Sequence, residues 1–108
     1  MSKFPRGERL RSRKEIDELF SSGKSITSNL IRTVFIGGGS PAKAAFSAPK
    51  RIFKRAIDRN RVKRLMRESY RHNKEGLTGR MIFIFQGASM PTYKDINTSM
   101  LNCISRLR

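Results

Sequence analysis

The sequence predicts an α/β (α+β) two-layer sandwich of element order α-β-β-α-β-α, with helices laid against a small central sheet. Apolar side chains recur at steps of three and four in some stretches and alternate or run unbroken in others, and Gly or Pro stands at the joints. The 108 residues suffice for one modest core. Residues 1–108 are therefore read as a single domain, with the first nine expected to be flexible.

The first helix is expected over residues 12–22. Ser12 and Glu15 stand at capping-box spacing, Ile16, Leu19 and Phe20 share a face, and Gly23 ends the pattern. "SNLIRTVFIGG" follows, with Leu30, Arg32 and Val34 alternating against Ile31, Thr33 and Phe35; it reads as a strand that "GGGSP" breaks into a flexible turn. "KAAFSAPKRIF" predicts a second strand. Pro49 cannot donate to a ladder, so the chain should leave the sheet near Lys50.

Next comes a helix around "DRNRVKRLMRESYR", then the glycine-punctuated loop "EGLTGR", then "MIFIFQGA". That last run is apolar almost throughout, as expected of a central strand buried on both faces. From Thr92 onward, Thr92 and Asp95 form a cap pair, and Tyr93, Ile96, Met100, Ile104 and Leu107 make one stripe of a closing helix.

The charge is extreme: 24 Lys and Arg against 8 Asp and Glu, a formal net charge of +16. Such a chain repels itself and seeks polyanions. A lone cysteine, Cys103, excludes an internal disulfide, and its amphipathic flanks predict a buried, reduced thiol. His72 has no Cys or carboxylate partner at ligand spacing, so no metal site is expected on the protein. The opening "MSKFPRGERL" lacks the apolar run of a secretion signal, and nowhere do 18 apolar residues follow one another. A cytoplasmic protein with no membrane association is expected.

The basic helix has two sides. At 100° per residue, Val62, Leu65, Met66 and Ser69 fall in one sector, and Asn60, Lys63, Arg64, Arg67 and Arg71 in the opposite one. From Arg51 to Arg71 nine basic residues face only Asp58 and Glu68. Arg59, Lys63 and Arg67, four apart, oppose helix formation by mutual repulsion, which an external anion would relieve. Arginine outnumbers lysine here, and its planar fork suits phosphate. Nucleic acid is favoured over an acidic protein. A membrane surface would require a stronger apolar face.

"SAPKRIFKRAIDRNRVKRLMRESYR" resembles the signature of the bacterial ribonuclease P protein component, through Arg59-Asn60-Arg61 followed by Lys63, Arg64 and Arg67. The tripeptide opens a basic helix, follows a strand ending at Ser47 to Arg51, and precedes a buried strand. "ERLRSRKEIDELFSSGKS" and "MPTYKDINTSML" resemble the family's first and last helices, so the likeness spans nearly the whole chain.

The resemblance implies a left-handed βαβ crossover around the basic helix, a rare hand. It also implies a protein subunit of an RNA-catalysed endoribonuclease that matures the 5′ end of transfer RNA. Arg59, Asn60, Arg61, Lys63, Arg64, Arg67 and Arg71 would contact the catalytic RNA subunit. Phe20, Ser47, Lys50 and Arg51 would line a cleft for the 5′ leader of precursor tRNA. Ile16 stands where many members carry a second aromatic residue, and "KRIFKRAID" is longer and more basic than the usual connection.

A protein nuclease needs paired carboxylates on metal ions or a His with a general-acid partner. One His and eight scattered acids do not supply them, so no catalytic side chain is expected. By the resemblance, Mg²⁺ is held by the RNA subunit, the partners are that RNA and precursor tRNA, and no obligate protein partner is implied. A ribosomal or other structural RNA-binding protein fits the size and charge equally well. A DNA-binding module fits less well, because no helix-turn-helix partner adjoins the basic helix.

Overall fold

The computed structural model describes residues 9–10 and 12–107. Along the chain the elements are α1 (Arg13–Ser22), β1 (Lys24–Ser28), β2 (Ile31–Pro41), β3 (Lys43–Ser47), α2 (Ala56–Asn73), β4 (Thr78–Phe85) and α3 (Tyr93–Leu107). The expected succession is kept, with β1 added before β2. Of the nine residues expected to be flexible, 1–8 lie outside the described residues. Arg9 forms an isolated parallel bridge with Ala44.

Capping sets both short helices. The Ser12 hydroxyl accepts from the Glu15 N–H at 3.4 Å, and the Gly23 N–H closes the far end on the Leu19 carbonyl at 2.8 Å. At the start of α3 the Thr92 hydroxyl accepts from the Asp95 N–H at 3.2 Å.

The four strands lie in the order β1-β2-β4-β3. β1–β2 and β2–β4 are antiparallel, and β3–β4 is parallel, joined by the α2 crossover. The apolar strand β4 is central, as its composition requires.

The turn expected at "GGGSP" is instead part of β2, which breaks register between Ile36 and Pro41 and then pairs Pro41 with Thr78. The cause lies across the ladder. Gly79 has φ +88°, and a Cβ there would overlap the Ile36 carbonyl and the Gly37 backbone. A glycine on β4 therefore admits the bulge, and the glycine run stays in the sheet. The N-terminal part of the expected strand changes too: residues 29 and 30 are a turn, and β1 supplies the other arm of a hairpin.

Alternation sends successive side chains to opposite faces. Met81, Phe83 and Phe85 of β4 face α2 and α3 and join Ile31, Val62, Met66, Tyr70, Ile96, Met100 and Ile104 in the larger core. Phe46 stacks on Phe83 with centroids 5.7 Å apart and meets Tyr70 edge-on at 5.7 Å. Where α2 crosses α3, the Ser69 hydroxyl donates to Asn97 Oδ1 at 2.7 Å, and the Asn73 amide donates to the same oxygen at 3.2 Å. On the other face a smaller cluster joins Leu10, Leu19, Val34 and Ile82 beneath α1.

Candidate nucleic-acid interface

α2 divides as its periodicity predicts. Val62, Met66 and Ser69 are buried and Leu65 is half-buried, whereas Asn60, Arg61, Arg64 and Arg67 are exposed and Lys63 is half-exposed. Tyr70 is also fully buried. Entry into α2 depends on Arg59, whose Nη1 donates to the carbonyls of Phe53 and Lys54, each at 2.9 Å. The helix N-cap, Arg55, makes no capping side-chain bond. Arg59 thus ties the preceding loop to the first turn.

The basic residues differ in how far their charge is already matched. Arg71 Nη2 lies 2.6 Å from Glu68 Oε1, and His72 Nε2 lies 3.2 Å from that oxygen. Arg61, Lys63, Arg64 and Arg67 make no ion pair with a carboxylate among the described residues. Arg67 is distinctive: its guanidinium carbon sits 5.9 Å from the centroid of Phe46. Burial there, and secondarily the charge of Arg9, pull its pKa below the ordinary arginine value. Ile57, 65% exposed, stands in the first turn of the same helix.

The second group of expected residues lies around the α1 face of the sheet. Phe20 is 50% exposed, although its neighbour Leu19 is fully buried and Ile16 half-buried. Phe20 is therefore not part of the core face that its spacing also allowed. Ser47 pairs with Ile84 and shares the α1 face with Ala45, two positions earlier in the strand. Lys50 and Arg51 are exposed in the turn that follows β3, where the Pro49 carbonyl accepts from the N–H groups of Ile52 and Phe53. Ser47, Lys50 and Arg51 thus share one end of β3, and α1 covers the sheet face on which Ser47 lies.

Arg32 was not among the expected site residues. It is exposed on the α1 face, paired with Ile84 in the same cross-strand row as Ser47, and its Nε donates to the Ser25 hydroxyl at 3.1 Å. The signal was present in the sequence, as the one cation in the Leu30-Arg32-Val34 alternation. By contrast, Arg80 on this face is matched, with Nη2 2.5 Å from Glu18 and Nη1 3.8 Å from Glu15.

No group of three or more His, Cys, Asp or Glu side chains that could hold a metal ion occurs among the described residues. None of the described helices is long and apolar enough to cross a membrane.

Known proteins resemble this chain in sequence and in fold. The ribonuclease P family model matches residues 4–108. The ribonuclease P protein component of Porphyromonas gingivalis is 33% identical over 116 aligned positions, covering 94% of this chain and 84% of that one. The component from Chlorobaculum tepidum is 35% identical over 87, covering 74% of this chain and 56% of the relative. Among solved structures, the RNase P protein of Thermotoga maritima superposes with a TM-score of 0.82 at 23% identity, covering 94% of this chain and 98% of the other. That of Staphylococcus aureus superposes at 0.80 and 20% identity, covering 93% and 96%. These two likenesses bear on the fold, and the family match and the sequence relatives bear on descent. The chain belongs to the bacterial ribonuclease P protein component family.

Proposed function

We propose that the protein is the subunit of a cytoplasmic ribonucleoprotein in which RNA performs the cleavage: it binds the catalytic RNA of ribonuclease P and the 5′ leader of precursor tRNA, and assists endonucleolytic removal of the leader. The observation that carries this reading is the side of α2 bearing Arg61, Lys63, Arg64 and Arg67, four cations that no carboxylate answers among the described residues. A surface so charged binds phosphate by releasing counterions, independently of sequence.

The protein's part is electrostatic and positional. Two RNAs repel one another, and +16 charges on a 108-residue chain screen that repulsion. Phe20 offers an exposed ring on which a leader base can stack, and Ser47, Lys50 and Arg51 offer polar and cationic contacts at the end of β3. Holding the leader reduces the freedom that the scissile phosphate loses on reaching the reactive geometry. Catalytic Mg²⁺ belongs to the RNA subunit in this reading, and hydrolysis leaves a 5′-phosphate on the mature tRNA. No protein side chain takes or gives the proton.

The deciding experiment adds the chain to its host's ribonuclease P RNA at low Mg²⁺ and assays precursor tRNA. Cleavage at the mature 5′ end that neither component performs alone is expected. A chain that binds RNA yet confers no cleavage is instead a structural RNA-binding protein. Affinity for the RNA subunit should fall by at least ~3 log units per decade of salt, the slope for about four neutralised phosphates.

A further inference from the structure

Arg9 and Arg67 are both placed at the outer edge of β3, although they lie on opposite sides of the first strands in sequence. The Leu10 N–H donates to the Ala44 carbonyl at 2.9 Å, and Arg9 pairs with Ala44 in parallel register. Leu10 then turns under α1, where it is 4% exposed against Leu19, Val34 and Ile82. Alternation sends Arg9 the other way, to the face of Ala44 and of Phe46 two positions on. Phe46 is the ring beneath Arg67.

We propose that Arg9 and Arg67 form a two-guanidinium clamp for one phosphodiester of RNA, seated over Phe46 at the edge of β3. The proposal rests on the RNA-binding reading and assigns that surface a specific anion site. The backbone of Arg9 is held by its bridge to Ala44 and the guanidinium of Arg67 lies over the Phe46 ring, so both cations start from the same strand. Neither meets a carboxylate among the described residues. After burial, the positive charge of Arg9 is the second influence that disfavours the charge of Arg67, a mutual opposition of like charges. A phosphate between them removes it, because its oxygens accept from both forks at once. The clamp would extend the basic side of α2 to the strand that ends at Ser47, so the two surfaces proposed for RNA become continuous.

The first test is thermal melting of the full chain in inorganic phosphate against chloride at constant ionic strength. The parent should gain stability specific to phosphate. Arg9→Ala and Arg67→Ala should each lose half or more of that gain, and the double variant should lose little beyond either single one, since both arms hold one ion. Lys94→Ala removes the same charge from an exposed position on α3 and should retain the gain. Arg9 is exposed and its bridge is a backbone one, so Arg9→Ala should melt cooperatively in chloride; if it does not, Arg9→Lys takes its place with the same expected loss. Full retention of the phosphate gain by the Arg9 variant overturns the clamp.

Two titrations then find the source of the phosphate. The Arg9 variant is titrated with ribonuclease P RNA and, separately, with a single-stranded leader oligonucleotide. In one of them affinity should fall about tenfold or more, the worth of a charged hydrogen bond to phosphate, and the salt slope should drop by about one. No change with either RNA refutes the proposal. The function proposed above would survive that result, because it is judged by precursor tRNA cleavage with the parent chain.

Discussion

The two sides of the sheet are used differently. On one side α2 and α3 together close over Met81, Phe83 and Phe85, and that side holds most of the buried apolar residues. On the other side ten-residue α1 covers Val34 and Ile82 and matches Arg80 with Glu15 and Glu18, and the row of Ser47, Ile84 and Arg32 is left partly open. One side holds most of the core, and the other keeps part of its surface exposed. A small domain has only a modest core to build, and building most of it on one face leaves part of the second uncovered.

The strongest challenge to this contrast uses neighbouring residues of β4. Phe83 is fully buried beneath α2, and Ile84, half-buried, points to the α1 side. Phe83→Ala should destabilise by ~3–5 kcal/mol and Ile84→Ala by less than half as much, read from urea melts. Equal losses would mean that the α1 side is as much core as the other.

The same division runs along α2, where separate variants should separate folding from assembly. Met66→Ala removes a fully buried side chain and should cost ~2–5 kcal/mol of stability. Leu65, half-buried, should cost less than its spacing alone suggests. Arg64→Ala with Arg67→Ala should keep the fold and weaken binding of the RNA subunit by ~1.5–3 kcal/mol for each charged hydrogen bond to phosphate that the variant can no longer make. Melts and RNA titrations of each variant check the split. Unchanged RNA affinity of the double arginine variant across a range of salt would mark the basic side as merely solvated.

Much of this was legible in the sequence because periodicity and capping are local. Ser12 with Glu15, Thr92 with Asp95, the two sectors of α2 and the apolar run of β4 each state their structure within a dozen residues. What was not legible depends on distant partners. β1, "KSITS", carries a single half-buried apolar residue, Ile26, and becomes a strand only by pairing with β2. The glycine run remains in β2 because Gly79, far along the chain, yields space to it. The site was legible as charge and only in part as matching. Glu68 three residues before Arg71 signals that this arginine is paired, whereas nothing local shows that Arg59 bonds the carbonyls of Phe53 and Lys54.

On the open side the contrast predicts function without stability. Phe20→Ala should change stability by no more than ~0.5 kcal/mol, as for an exposed position. Binding of precursor tRNA with a leader should fall by ~1–3 kcal/mol, the worth of one stacked base. Mature tRNA, without the leader, should bind as before. A comparable loss for both RNAs would remove Phe20 from the leader path.

The smallest expected effect probes how tightly the other side is closed. Cys103 on α3 is fully buried, with its Sγ 3.7 Å from the Ile31 carbonyl oxygen. Burial raises its thiol pKa, against smaller opposing effects of the Thr33 hydroxyl and the Arg106 charge. The folded chain therefore keeps this proton at pH values where the unfolded chain has released it, so stability is intact below the ordinary thiol pKa and falls as pH rises above it. Cys103→Ala lacks that proton. In urea melts from pH 7 upward, the parent's advantage over Cys103→Ala should be constant near neutrality and shrink above the ordinary thiol pKa, by at most ~1.4 kcal/mol per pH unit for one proton. Parallel stability curves to the alkaline limit would show that the thiolate is tolerated, and hence that water reaches the α3 side of the sheet as readily as the α1 side.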